Sequence, residues 1–159
     1  MSSGPPALEL TSLTKRFGDT TAVDDLTLRL ERGAFVGLLG RNGAGKSTTL
    51  KMVTGLLRPT AGAIRVLGRD LAAEPIAVKR QIGVMPEEMA LLEYLTGPQY
   101  LRFVGRMYGL TDEVADSRRE ELFAKLDLAP ASGALVADYS YGMTKKLSLC
   151  AALIHAPQV

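Results

Sequence analysis

The stretch that most constrains this chain is residues 34–57, where an apolar run leads through a glycine-rich turn into a segment of helical periodicity. Within it, Gly40 to Ser47 fits the phosphate-binding loop pattern Gly-x-x-x-x-Gly-Lys-Ser/Thr. This motif requires a strand before it and a helix after it, and the two flanking segments have that character. An ordinary glycine-rich turn before a helix is the alternative, and the flanking segments disfavour it.

The residue types of this motif suit a bound triphosphate. Glycines at positions 40, 43 and 45 allow a positive φ and a close approach of the backbone. Successive N–H groups are then expected to point inward at the positive end of the following helix. Lys46 is expected to reach the β and γ phosphates. Ser47 offers a hydroxyl to Mg²⁺, which binds few protein ligands besides phosphate oxygens and water.

Hydrophobic periodicity predicts the elements around this loop. The helix after the loop is expected to end at Arg58-Pro59. Its predicted apolar face consists of Leu50, Val53, Leu56 and Leu57. Alternating or continuous apolar runs predict strands at residues 7–13, 26–30, 34–39, 63–67 and 81–85.

The chain changes character after Pro86, because residues 87–137 contain no convincing strand. Thr96, Thr111 and Ser140 are each positioned to cap a following helix. The apolar stripe of the last helix is formed by Leu147, Cys150, Ala151 and Ile154. The order of elements predicts an α/β nucleotide-binding core with an embedded helical lobe.

Composition excludes several functions. The net charge of +2 is too small to indicate nucleic acid as a partner. No apolar run approaches the roughly 18 residues of a membrane span, and the first ten residues lack the features of a secretory signal. Cys150 is the only cysteine, which excludes an internal disulfide and fits a reducing cytoplasm, and one Cys with one His argues against a zinc site.

A second candidate anion site lies at the start of the last predicted helix. Ser140 offers a hydroxyl and Gly142 allows a close approach, beside the free N–H groups of a helix N-terminus. A plain capped helix explains the same residues, and physical chemistry alone favours that simpler interpretation.

Four segments together resemble the ATP-binding subunit of ABC transporters: KRFG around Phe17, GRNGAGKST at 40–48, IGVMPEE at 82–88 and YSYGMTKKLSL at 139–149. The resemblance covers essentially the whole chain, and the tyrosine-rich signature is similar to that of bacterial exporters. It implies an α/β fold: a P-loop NTPase core with an N-terminal antiparallel β subdomain and an inserted all-helical subdomain, incomplete at the C-terminus. The expected parts are residues 1–86 (β subdomain and core), 87–139 (helical signature subdomain) and 140–159 (signature helix returning to the core).

The resemblance also implies the site. Phe17 would stack on adenine, and ATP would be held by Gly40, Asn42, Gly43, Ala44, Gly45, Lys46, Ser47 and Thr48. Ser140 and Gly142 would contact the γ-phosphate of ATP bound to a second nucleotide-binding domain. Mg²⁺ would be held by Ser47 and by Glu87, which stands where the family usually has glutamine. Tyr141 likewise replaces a glycine of the usual signature.

No catalytic residue is expected within the 159 residues. In the family the magnesium aspartate and the general base follow the signature helix, so the base is expected beyond Val159. The segment 122–127 mimics that pattern, but it has a helical context and precedes the signature. His155 comes too early to be the family's switch histidine and is expected to be a surface or capping residue. The chain alone is therefore expected to turn over ATP weakly or not at all.

The resemblance implies a dimer of nucleotide-binding domains on a membrane-embedded transporter subunit, at the cytoplasmic face of the cell membrane. Another P-loop enzyme is the first alternative. A GTPase would normally read guanine with Asn-Lys-x-Asp, and Asn42 is the only asparagine in the chain. A small-molecule kinase would need a lid and an acceptor pocket, for which no motif is visible. A non-catalytic nucleotide-binding module is the remaining alternative.

Overall fold

The structure is a computed structural model that describes residues 4–87 and 91–159. The strands are β1 (Leu8–Phe17), β2 (Thr20–Leu30), β3 (Ala61–Val66) and β4 (Arg69–Asp70). The helices are α1 (Lys46–Val53), α2 (Pro75–Lys79), α3 (Gly97–Met107), α4 (Asp112–Lys125) and α5 (Tyr141–Leu153), with 3₁₀ turns at Ala129–Ala131 and Val136–Asp138. Residues 1–3 and 88–90, which include the last residue of the IGVMPEE segment, lie outside the described residues.

The chain divides into two compact units, Met1–Ile82 with Gln158–Val159, and Gly83–Pro157. The first unit contains an antiparallel sheet of order β2-β1-β3-β4, which confirms the N-terminal antiparallel β subdomain. In its register Leu8 lies opposite both Leu30 and Val66. Alternation along β1 and β3 therefore sends one set of side chains into the core of this unit, where they pack with Met52 of α1 and Val78 of α2.

The end of α1 differs from the prediction. The helix ends at Val53, and Gly55 then takes a φ of 68°, a left-handed conformation that favours glycine and commonly ends helices. Leu56 lies beyond the last turn and is exposed, so the predicted four-residue apolar face is wrong. Within α1 the buried residues are Thr49 and Met52.

Two predicted strands are absent from the described residues. Segments 34–39 and 81–85 are irregular, because neither pairs with a neighbouring strand and a strand is held by the hydrogen bonds of its ladder. Phe35 and Leu39 are consequently almost fully exposed. The end of the chain does reach one of these segments, since the N–H groups of Gln158 and Val159 donate to the carbonyl oxygen of Gln81 at 2.9 and 3.0 Å.

The second unit is helical, as predicted. Thr96 begins α3 with a capping box, in which its hydroxyl accepts from the N–H of Gln99 and the Gln99 side chain accepts from the N–H of Thr96. Thr111 and Ser140 cap α4 and α5 in the predicted way. The core of this unit combines Leu101, Phe123, Leu128, Leu147 and Cys150.

Two side chains at or near the C-terminal half of α5, those of His155 and Cys150, are packed against the helical unit. His155 is half-buried, and its ring stacks on Tyr108 with centroids 3.8 Å apart and an interplanar angle of 4°, so it is not the plain surface residue that was expected. The stacking brings together the end of α3 and the end of α5, which are distant in sequence, so no local pattern predicts it. Cys150 is fully buried, and burial raises the pKa of its thiol to about 11.

Among the described residues, no helix combines the length and hydrophobicity needed to cross a bilayer.

Candidate functional site

The backbone of the phosphate-binding loop has the predicted conformation at two of its three glycines. Gly43 and Gly45 take φ values of 83° and 80°. A side chain at Gly45 would also collide with the carbonyl oxygen of Ala22 in β2. Gly40 has no positive φ, which corrects the prediction for this position. It is instead a point of close approach, since a Cβ there would lie 3.2 Å from the Cβ of Ala44.

The Lys46 side chain folds back across the loop. Its Nζ donates hydrogen bonds to the carbonyl oxygens of Gly40 at 2.6 Å and Arg41 at 2.8 Å. An ammonium group has three N–H donors, so these two bonds leave one donor for a further acceptor. The positive charge is thereby held beside the backbone of the loop, where an anion would bind.

The start of α1 supplies backbone donors beside this charge. The N–H of Thr49 donates to Gly45 at 2.8 Å, whereas the N–H groups of Lys46, Ser47 and Thr48 have no acceptor within the described part of the chain. The first turn contains no acidic residue. A helix N-terminus with unpaired N–H groups and no competing carboxylate attracts an anion such as a phosphate.

A cavity of about 250 Å³ lies against the loop. Ala44, Lys46 and Thr49 form one side of it, and β2 forms another with residues 22–24. Asn42 and Ser47 are exposed beside this loop. The sheet and the loop therefore bound an open volume next to Lys46 that a nucleotide phosphate could enter.

Phe17 lies at the end of β1, opposite Thr20, and its side chain is 51% exposed. The Nζ of Lys15 lies 5.1 Å from the centre of its ring and also donates to the carbonyl oxygen of Arg58 at 2.8 Å. A cation at this distance interacts favourably with the face of an aromatic ring. Phe17 therefore offers exposed ring surface to a second planar group.

The second unit contains the other two candidate residues. Ser140 caps α5, with its hydroxyl accepting from the N–H of Met143 at 3.3 Å, and Ser140, Tyr141 and Gly142 are all exposed. The Nζ of Lys145 lies 4.5 Å from the centre of the Tyr141 ring. This helix start thus combines free backbone donors with a cation one turn later.

Only part of the expected magnesium site is visible within a unit. Ser47 presents an exposed hydroxyl at the start of α1, which fits an ion that takes most of its ligands from phosphate oxygens and water. Glu87 is exposed and belongs to the other unit. The described residues hold no cluster of three or more His, Cys, Asp or Glu side chains that could bind a metal without a bound phosphate.

A family model described as ABC transporter matches residues 23–159 of this sequence. The chain belongs to the ABC transporter family. The match includes the loop, α1 and the start of α5, and the predicted resemblance is therefore confirmed.

Several ABC proteins are similar to this chain. It is 42% identical over 153 residues to the daunorubicin resistance ATP-binding protein DrrA3 of Streptomyces coeruleorubidus, covering 96% of this chain and 48% of that protein. It is 38% identical over 157 residues to the ABC transporter ATP-binding protein NatA of Bacillus subtilis, covering 96% and 64%. A solved ATP binding subunit of an ABC transporter matches with a TM-score of 0.85 and 34% identity, over 95% of this chain and 63% of that one. The chain thus spans only about half to two thirds of the length of these relatives.

Two features of the ABC site were missed by sequence reasoning. Ala22 of β2 contacts the loop at Gly45, and no motif marks that contact. Lys145, on the exposed face of α5, places its Nζ over the ring of Tyr141, and no motif marks this pair. The spacing of four residues between Tyr141 and Lys145 could have revealed that pair, because such residues are neighbours on a helix surface.

Proposed function

We propose that this chain binds ATP with Mg²⁺ and forms part of an ABC ATPase that powers transport, in the direction of export. The observation that carries the proposal is the loop of the first unit. Lys46, two glycines of positive φ and the unpaired N–H groups at the start of α1 converge there. Backbone donors and one fixed cation suit a polyphosphate, whose charge they offset without a change in the protein's own protonation.

The proposed roles of the individual residues follow the family. Phe17 stacks on adenine, Lys46 binds the β and γ phosphates, and Ser47 holds Mg²⁺, which would offset phosphate charge when bound. Glu87 is proposed as a further Mg²⁺ ligand. Its carboxylate is a hard oxygen donor, as that ion prefers, and its negative charge is the difference from the glutamine usual in the family.

The proposed active form is a dimer in which the start of α5 from one subunit meets the ATP of the other. Ser140 and Gly142 would contact the γ-phosphate, and the exposure of both residues supports this role. Residues 87–139 would act as the helical signature subdomain, with 140–159 returning to the core formed by 1–86. The dimer would close only around bound nucleotide.

Hydrolysis requires a base in line with the γ-phosphate. The proposed base lies on the strand that follows the signature helix in the family. The 159-residue chain by itself is therefore proposed to bind ATP without steady turnover. The second candidate function, a non-catalytic nucleotide-binding module, gives the same expectation for this chain. Turnover is the measurement that would exclude it.

A membrane-embedded subunit is the proposed partner, at the cytoplasmic face of the membrane. A groove in the helical unit, with a volume of about 170 Å³, is lined by Tyr100, Val104, Tyr108 and Ser148 among others. We propose that an element of the membrane subunit enters this groove. The DrrA3 relative is named for daunorubicin resistance, and export of an amphipathic drug is the proposed transport direction and cargo class.

The proposal is tested by calorimetric titration with ATP and GTP, with and without Mg²⁺, followed by a phosphate-release assay. We expect Mg²⁺-dependent ATP binding, a preference over GTP, and no phosphoryl transfer to small acceptors. A GTP preference or transfer to an acceptor would overturn the assignment. Steady turnover by the 159-residue chain that is lost in Lys46→Ala would contradict the proposed position of the base.

A further inference from the structure

A second cavity of the first unit, about 360 Å³ in volume, includes none of the loop residues 40–48 in its lining. Its walls are the turn after α1 (55–59), the start of β3 (62–64), the end of β4 with the following turn (70–72) and one face of α2. The volume falls within the range of roughly 300–1,000 Å³ that is typical of small-molecule sites. The proposed ATP site accounts for none of these surfaces.

The floor of this cavity is apolar. Leu57, Ile64 and Leu71 line it, and the last two are buried core residues with 4% and 8% of their surface exposed. Residues of this kind would gain contacts from an apolar group that displaced water from the cavity. A floor built only of aliphatic carbon gives no preference for a strongly hydrated ion such as free phosphate.

The rim of the cavity carries two cations. Arg58 and Lys79 line it, and the side chain of neither forms a hydrogen bond or ion pair with another side chain of the described residues. Asp70 is the one acidic residue of the lining. Its Oδ1 accepts from the N–H groups of Ala72 and Ala73 at 2.8 and 3.1 Å, so this carboxylate already has partners. The net charge at the rim is positive.

Lys79 has its position because residue 55 is glycine. A Cβ at Gly55 would lie 2.7 Å from Cε of Lys79 and 3.5 Å from its Nζ. The lysine stem therefore crosses the end of α1, where a cation also offsets the negative end of the helix dipole. Stabilisation of the end of α1 therefore accounts for the presence of Lys79. It does not account for Arg58 or for the apolar floor of the cavity.

We propose that this cavity binds an amphipathic organic monoanion, such as a fatty carboxylate or an alkyl sulfonate. The apolar body of the ligand would lie on Leu57, Ile64 and Leu71, and its acidic head would pair with Arg58 and Lys79 at the rim. A charge-assisted hydrogen bond to each cation supplies the preference for an anion. This site is separate from the loop, and the inference does not depend on the proposed ATPase activity.

The test uses decanoate as the probe and decanol as its uncharged analogue. Both are titrated into the intact chain labelled at isoleucine and leucine methyl groups, with binding followed by NMR. Decanoate is expected to shift the methyl signals of Leu57, Ile64 and Leu71, and decanol to bind at least about 10-fold more weakly, as expected for loss of a charge-assisted contact. Arg58→Gln with Lys79→Gln should weaken decanoate by a similar factor.

Arg65→Gln is the matched control, because Arg65 is an exposed cation of β3 outside the cavity and its loss should leave decanoate affinity unchanged. Ala72→Glu, which adds a negative charge to the rim, should abolish binding even if the double variant proves unstable. ATP affinity should be unchanged in all of these variants. The proposal fails if the three methyl signals do not move, if decanol binds as well as decanoate, or if Arg65→Gln weakens binding as much as the double variant.

Discussion

The ammonium group of Lys46 donates a hydrogen bond to the carbonyl oxygen of Gly40 at 2.6 Å. The side chain therefore reaches from the end of the phosphate-binding loop back to its first residue. A second bond, to the carbonyl oxygen of Arg41, is 2.8 Å long. These bonds hold the cation over the loop before any ligand binds. A phosphate entering the loop would therefore meet a charge that is already positioned, which reduces the conformational entropy lost on binding.

Replacing Lys46 should weaken ATP binding. Lys46→Ala removes a charge-assisted bond worth about 1.5–3 kcal/mol, so the dissociation constant for ATP should rise about 10- to 160-fold. Calorimetric titration measures this change. Lys51→Ala is the matched control, since Lys51 is an exposed lysine of the same helix. Equal losses in the two variants would show that net charge, and not the position of Lys46, controls binding.

Gly45→Ala should disturb both the loop and the stability of the first unit. The substitution forces a side chain into a φ of 80° and against the carbonyl oxygen of Ala22, at a cost of about 1–3 kcal/mol. Urea unfolding measures the change in free energy. Gly133→Ala is the control, because a Cβ at Gly133 meets no atom within 4 Å. A Gly45→Ala protein as stable as the control would contradict the described loop conformation.

Ser140→Ala separates the capping role of this serine from its proposed role in the dimer. The variant loses the bond to the N–H of Met143, which should lower stability by about 1 kcal/mol. Thr111→Ala loses an equivalent cap at α4 and should cost a similar amount. Only Ser140→Ala should also impair ATP-dependent dimerisation, measured by analytical ultracentrifugation. Equal dimerisation in both variants would remove Ser140 from the proposed interface.

The ion pair between Arg106 and Asp112 should make the stability of the helical unit depend on pH. The hydrogen bond from Arg106 lowers the pKa of Asp112 from its ordinary value of 3.8. The stabilisation is therefore present above pH 3.8 and is lost as the pH falls through the lower, folded-state pKa. Arg106→Gln should lower the urea midpoint at neutral pH and have less effect in acid.

Arg65→Gln serves as the control for this experiment. It removes the same charge from a residue that forms no ion pair within the described residues, so its effect on the midpoint should change little over the same acidic range. A difference between wild type and Arg106→Gln that stays constant down to the most acidic pH would contradict the coupling.

Features that depend on neighbouring residues could be predicted from the sequence. Thr96, Thr111 and Ser140 begin helices as expected, because a cap is a contact between residues two or three positions apart. The positive φ values of Gly43 and Gly45 follow from the loop motif in the same way. Gly40 shows the limit of that reasoning, since its role depends on the packing of Ala44.

Features that depend on distant partners could not be predicted. Residues 34–39 have the composition of a strand, but composition does not supply the paired strand that such a segment needs. The stacking of His155 on Tyr108 joins residues of different segments, and no local pattern marks it. The cavity beneath Arg58 and Lys79 is formed by four separate segments, so it becomes visible only in three dimensions.

Because Cys150 is buried, the rate at which a reagent labels its thiol reports local unfolding of the helical unit. The chain has one cysteine and no tryptophan, so a thiol reagent has a single target, whereas tryptophan fluorescence has none. Because burial raises the pKa of that thiol to about 11, it stays protonated and unreactive at neutral pH while α5 remains packed. The labelling rate at neutral pH therefore measures how often the helical unit opens by local unfolding.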